Sequence, residues 1–174
     1  MAKDYQTLND LYADAVASFP NNRLFGTKTD GMYRWISYGE FGELTDAARG
    51  GLASLGLAKG DTVAIIANNR VEWAVAAYAT YGIGAKFCPM YEAQLPKDWK
   101  YIIEDSGARV LLVANQTIYE KTREFIGTVG QLERVIYFDG PDGDDAWTSL
   151  LQVGRAQPQA PAAVGRDDLC GFIY

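Results

Sequence analysis

The sequence predicts an α/β protein: a parallel, doubly wound sheet with flanking helices, preceded by an N-terminal helix and a β-hairpin. Three observations carry that reading. Between residues 62 and 138, short apolar runs alternate with helical patterns. Right-handed crossovers lay such a βαβαβαβ order out as parallel strands with helices on both faces. The runs are apolar without alternation, 62–67 above all, which marks strands covered on both faces. Ahead of them lie two shorter β-like runs joined by Thr29-Asp30-Gly31, a hairpin signal.

The first helix places Leu8, Leu11, Tyr12, Ala15, Val16 and Phe19 on one face, behind a Thr7 cap and ahead of Pro20. The hairpin pairs 23–27 with 32–36. Ser37 and Glu40 then form a capping box, in which each side chain satisfies a backbone N–H that the helix leaves unpaired. The helix behind it presents Phe41, Leu44, Ala48, Leu52 and Leu55 and stops at Gly56. Gly50 and Gly51 weaken that helix, a tolerable cost where another backbone packs closely.

The alternating part begins with the strand at 62–67 and an Ala-rich helix at 71–81, apolar nearly all round and hence buried. Gly82-Ile83-Gly84 follows a helix and precedes a strand, so it is a connector rather than a phosphate-binding turn. A strand at 86–89 comes next, then a helix between Pro96 and Gly107, and a strand at 110–113. Asn115 caps a helix whose aligned residues are Ile118, Thr122, Phe125, Ile126 and Val129, and 135–138 is the fourth strand. The acidic stretch 139–145 lacks the glycine and closing glutamate of a calcium loop and reads as a solvated turn. A short helix around Trp147, Leu150 and Leu151 follows. The resulting division is 1–60 for helix, hairpin and capping-box helix, 61–153 for the parallel unit, 154–166 for a linker without packing periodicity, and 167–174 for a strand entered from an acidic loop.

Composition bounds the function. The chain has 174 residues, enough for one domain with a sizeable core, and its 48% hydrophobic content excludes disorder. A net charge of -6 and the lack of a Lys/Arg run argue against a nucleic-acid surface. The opening residues carry no apolar signal-peptide core, and the longest apolar stretch, 71–79, is too short for a transmembrane segment. Cys88 and Cys170 stand alone in apolar runs, fit a reduced cytoplasmic protein, and read as core packing residues. There is no histidine, which removes the commonest general base and imidazole metal ligands.

In an open α/β sheet, ligands bind beyond the carboxyl ends of the strands. The candidate substrate-proximal residues are therefore Asn68 and Arg70 after the first strand, Tyr91 and Glu92 after the second, and Tyr174 at the end of the chain. Asn68 and Asn115 also suit helix caps, and Arg70 and Glu92 also suit surface charges. No catalytic constellation and no metal site is expected among these residues.

One ordered series of motifs is more specific than any of its pieces. It runs from Trp35-Ile36-Ser37-Tyr38-Gly39-Glu40-Phe41 through Gly56-Leu57-Ala58-Lys59-Gly60-Asp61-Thr62-Val63-Ala64-Ile65 to Asn69-Arg70-Val71-Glu72-Trp73. It continues with Gly84-Ala85-Lys86-Phe87-Cys88-Pro89-Met90-Tyr91 and Asp105-Ser106-Gly107-Ala108-Arg109-Val110. The series resembles the front of AMP-forming acyl-CoA synthetases, and Tyr91-Glu92-Ala93-Gln94-Leu95-Pro96 leans toward their long-chain fatty acid branch.

The resemblance implies an N-terminal portion of a fatty acid–CoA ligase. In the intact enzyme a carboxylate would react with ATP to give an acyl-adenylate, with Mg offsetting phosphate charge, and CoA would then take the acyl group. In that family a strand like 168–174 runs into a Ser/Thr/Gly-rich phosphate loop. That loop is absent here, so the expectation is a front piece of a longer protein, inactive alone, with no ATP, Mg or CoA bound. It also implies open helix faces and self-association, and a cytoplasmic enzyme, with peripheral attachment to a membrane as the alternative when intact. The rival readings are another adenylate-forming enzyme, such as an aryl-CoA ligase or adenylation domain, and a self-contained flavodoxin-like binding module.

Overall fold

The computed structural model describes residues 3–174; the first two residues of the opening stretch lie outside it. In chain order the elements are α1 (Leu8–Ser18), β1 (Arg23–Thr29), β2 (Met32–Ser37), α2 (Tyr38–Ser54), β3 (Thr62–Ile66), α3 (Val71–Gly82) and β4 (Lys86–Met90). They continue with α4 (Pro96–Ser106), β5 (Val110–Asn115), α5 (Gln116–Thr122), a 3-10 turn (Arg123–Phe125), β6 (Arg134–Asp139) and α6 (Trp147–Ala156).

The expected caps form. Thr7 and Asp10 make a capping box on α1, and Ser37 and Glu40 make the one on α2. The Ser37 N–H donates to Glu40, and that bond holds the Glu40 carboxyl below the usual glutamate range. In the hairpin turn Asp30 and Gly31 both take positive φ, 52° and 80°, as a two-residue turn that matches strand twist requires.

Strands β3 to β6 form one parallel sheet in the order β4-β3-β5-β6. The winding starts at β3, steps out to β4, then reverses past β3 to β5 and β6. That reversal puts α4 and α5 on the face opposite α3, while α2 packs between α3 and α6. All five residues of β3 are buried, and no residue of α3 is exposed. The two glycines inside α2 do meet another backbone. A Cβ on Gly50 would lie 2.6 Å from the Gly154 carbonyl oxygen, and one on Gly51 would lie 2.5 Å from that of Leu150. A Cβ on Gly154 would overlap the Ala47 carbonyl oxygen, so α2 and α6 touch backbone to backbone.

Four expectations need correction. The helix capped by Asn115 stops at Thr122 instead of continuing through Val129, because Ile126 leaves helical geometry and Gly127 and Gly130 take positive φ. Helix α6 runs through Ala156, into the stretch read as linker. The run 168–174 is not a ladder strand; it makes a single parallel bridge, Gly171 to Phe87, on the outer edge of β4. Phe87 N–H donates to Cys170 O at 2.9 Å and Phe172 N–H to Phe87 O at 3.0 Å. The next bond of a parallel ladder would need an N–H from residue 89, which is proline. Cys88 is in the core, where burial pushes its thiol up to about 11, but Cys170 is exposed because its segment lies along the sheet edge.

Candidate functional site

All four parallel strands deliver their carboxyl ends to one edge of the sheet, and the winding reverses between β3 and β5. A crevice opens where that happens. Arg70, in the loop after β3, fills it. Its guanidinium donates to Asp139 through two nitrogens at 2.8 and 2.9 Å, to Glu72 at 2.7 Å and to the Ala114 carbonyl at 3.3 Å. It also lies 5.1 Å from the centre of the Phe138 ring. The bond from Arg70 holds the Asp139 carboxyl below the usual aspartate range. One side chain thus ties the ends of β3, β5 and β6 together.

Beside this clamp, at the ends of β3 and β4, lies an open cleft of ≈ 500 Å³. Asn68, Asn69, Trp73, Met90, Tyr91 and Tyr174 line it, together with Pro89 and Ile173. Glu92 stands behind it: its carboxylate accepts from the Asn68 N–H at 2.7 Å, linking the loops after β3 and β4. Tyr91 is fixed through its backbone. Its N–H donates to Gln94 at 3.0 Å and its carbonyl accepts from the Trp99 indole at 3.0 Å. Trp73 is held edge-on to Phe87, 5.1 Å between ring centres. The Tyr174 hydroxyl donates to Asp105 on α4 at 2.6 Å.

Of the five residues singled out from sequence, Asn68, Tyr91 and Tyr174 line the cleft and Glu92 braces it. Arg70 turns away toward β6. Asn68 does not cap α3, whose N-cap is Arg70 without a side-chain bond, whereas Asn115 does cap α5, accepting from Ile118 N–H at 3.1 Å. Sequence reasoning missed Trp73, Pro89 and Ile173 as cleft residues and Asp139 as the partner of Arg70. The only signal available was position after a parallel strand, which does not show what crosses over from elsewhere in the chain.

The lining offers amides, hydroxyls and apolar surface, and no lysine or arginine. Such a donor set suits an uncharged or apolar group and does not fit a triphosphate with its Mg, which needs cations or a cradle of N–H groups. Among the described residues no group of three or more His, Cys, Asp or Glu is placed to hold a metal ion. Nor is any described helix long and apolar enough to cross a membrane.

The chain has relatives among known proteins. The chain is 30% identical over 160 residues to the long-chain-fatty-acid–CoA ligase FadD15 of Mycobacterium bovis, an alignment covering 89% of this chain and 26% of that protein. It is 26% identical over 187 residues to the peroxisomal long chain acyl-CoA synthetase 6 of Arabidopsis thaliana, covering 98% of this chain and 27% of the relative. The fold matches a long-chain-fatty-acid-CoA ligase, FadD1, from Archaeoglobus fulgidus with a TM-score of 0.80 at 18% identity, over 98% of this chain and 34% of that one. It matches the anthranilate CoA ligase AuaEII with a TM-score of 0.79 at 20% identity, over 98% and 31% of the two chains. The chain therefore spans about a quarter of the length of these curated relatives. Residues 12–174 match the model of the AMP-binding enzyme family, and the chain belongs to that family.

Proposed function

We propose that this chain forms the N-terminal part of a fatty acid–CoA ligase. The enzyme would join a fatty acid carboxylate to the α-phosphate of ATP, releasing pyrophosphate, and pass the acyl group from the adenylate to the CoA thiol, releasing AMP. The observation that carries the reading is the family match over 12–174, joined to long-chain ligases as sequence relatives. Magnesium bound with ATP would offset phosphate charge.

Within that enzyme the 174 residues supply scaffold and wall. Asn68, Tyr91 and Tyr174, braced by Glu92, stand next to an uncharged portion of the substrates, and Arg70 keeps the strand ends in register. Nucleotide chemistry falls to residues outside this chain, because the cleft offers nothing cationic. The expected compartment is the cytoplasm. Alone, the chain self-associates through the apolar stripe of α1, whose Leu8 and Phe19 are 41% and 50% exposed.

The test is AMP formation by the full-length enzyme across a series of carboxylic acids. Medium and long fatty acids should exceed acetate and benzoate, and a clear preference for aromatic acids would overturn the assignment. The chain alone should give flat calorimetric traces with Mg-ATP; micromolar binding would put the nucleotide site inside these residues.

A further inference from the structure

We propose that Arg49 is a positioning residue: from the middle of α2 it latches residues 157–174 across the helical face and so holds Ile173 and Tyr174 at the wall of the cleft.

The chain leaves α6 against α2, where a Cβ on Gly50 would lie 2.7 Å from the Gln157 carbonyl oxygen, and reaches the outer edge of β4. It covers that path with no helix or ladder strand to hold it. Such a segment ordinarily opens easily. Here its path is tied down at successive points, and the first tie is the unusual one.

Arg49 is only 7% exposed. Its Nε–H donates to the Gln159 carbonyl at 2.7 Å, and its Nη1 pairs with Asp46 at 2.8 Å. Its stem lies over Gly82, where a Cβ would come within 2.8 Å of the Arg49 Cδ. Burying a cation is costly unless its donors are used. Asp46 is largely exposed and could pair with an exposed arginine, so the Gln159 carbonyl is what the buried position serves.

Farther along, Ala162 N–H donates to the Gly82 carbonyl at 2.8 Å. Lys59 then bonds the Ala163 carbonyl at 3.2 Å and Asp168 at 2.7 Å. The segment next reaches β4, where Cys170 O and Phe172 N–H bond Phe87, and Ile173 and Tyr174 follow directly into the cleft.

Amide hydrogen exchange on the whole chain tests this. The Phe87 N–H is a reporter at the far end, since its bond is to the strap itself. Arg49→Met keeps the stem and removes the donors, and should speed exchange at Ala162, Phe87 and Phe172 by about tenfold. Ile65 and Leu112, inside the sheet, exchange through global unfolding, so they gain at most the same factor and should stay far slower than the strap amides. Arg49→Lys, which retains the charge on a single ammonium but lacks the guanidinium fork, should fall between. Ala162→Pro removes a second tie at a partly exposed position without touching α2, and should also release Phe87 and Phe172. Unchanged far-end amides in Arg49→Met or in Ala162→Pro would overturn the proposal, as would strap amides that exchange no faster than Ile65 and Leu112.

Discussion

The parallel sheet and the front of the chain both carry apolar side chains but bury them to different degrees. In β3 every residue is buried, and in β5 all but the last. In α1 none is, and β2 leaves Met32, Tyr33 and Trp35 exposed at 72%, 60% and 45%. Helices α2 to α6 cover both faces of the sheet, and α2 therefore belongs with it rather than with α1 and the hairpin. The α1 stripe lies partly over α2 and α3, and the two-stranded hairpin meets α2 through Phe25, 5.4 Å from the Phe41 ring, while its Met32, Tyr33 and Trp35 stay uncovered. An apolar pattern therefore reports what a segment is made to touch, and does not establish that the partner lies within these residues.

That contrast can be broken first where it is strongest. Ile65→Ala, in the fully buried centre of β3, should cost about 2–5 kcal/mol of unfolding free energy in denaturant titrations. Leu11→Ala, at 40% exposure on α1, should cost well under half as much; equal losses would erase the distinction between the regions.

The α2–α6 seam belongs to the closed region and gives the next effect. Gly154→Ala places a methyl group on the Ala47 carbonyl and must push the helices apart, costing about 1–3 kcal/mol or more. A variant as stable as the parent would mean the helices are farther apart than described.

A smaller effect sharpens the role of Arg70. The Asp139 pKa is depressed in the folded state, so its contribution is present above the unfolded carboxylate value and lost as pH falls through the lower folded value. Asp139→Asn should lower stability at neutral pH by about 1 kcal/mol or less, Asp139 being largely exposed. The gap to wild type should close in acid, below about pH 4. A gap independent of pH would show that the ion pair is not what the mutation removes.

The legible part of the molecule was the part governed by local patterns. Strand runs, the Ser37–Glu40 box, the Asp30-Gly31 turn and the close approach at Gly50 and Gly51 follow from propensity, capping and sterics within a few residues. The illegible part joins residues distant in sequence. The Arg70–Asp139 clamp spans 69 positions and exists only because β5 lies between β3 and β6. The segment after α6 has no apolar period because its ties are backbone groups meeting Arg49 and Lys59. Two misses did leave local signs: Gly127 and Gly130 end the α5 region early, and Pro89 limits pairing along the edge of β4.

The central distinction, a self-sufficient sheet beside a dependent front, is tested most directly by native-state hydrogen exchange at increasing denaturant. Amides of Val63, Ile65, Leu111 and Val113 should exchange only through global unfolding, with denaturant slopes equal to that of the whole chain. Amides of α1 and the hairpin should exchange through local openings that cost far less and depend little on denaturant. A single shared opening free energy for both sets, at a dilution where light scattering shows the chain dissociated to monomers, would contradict the account.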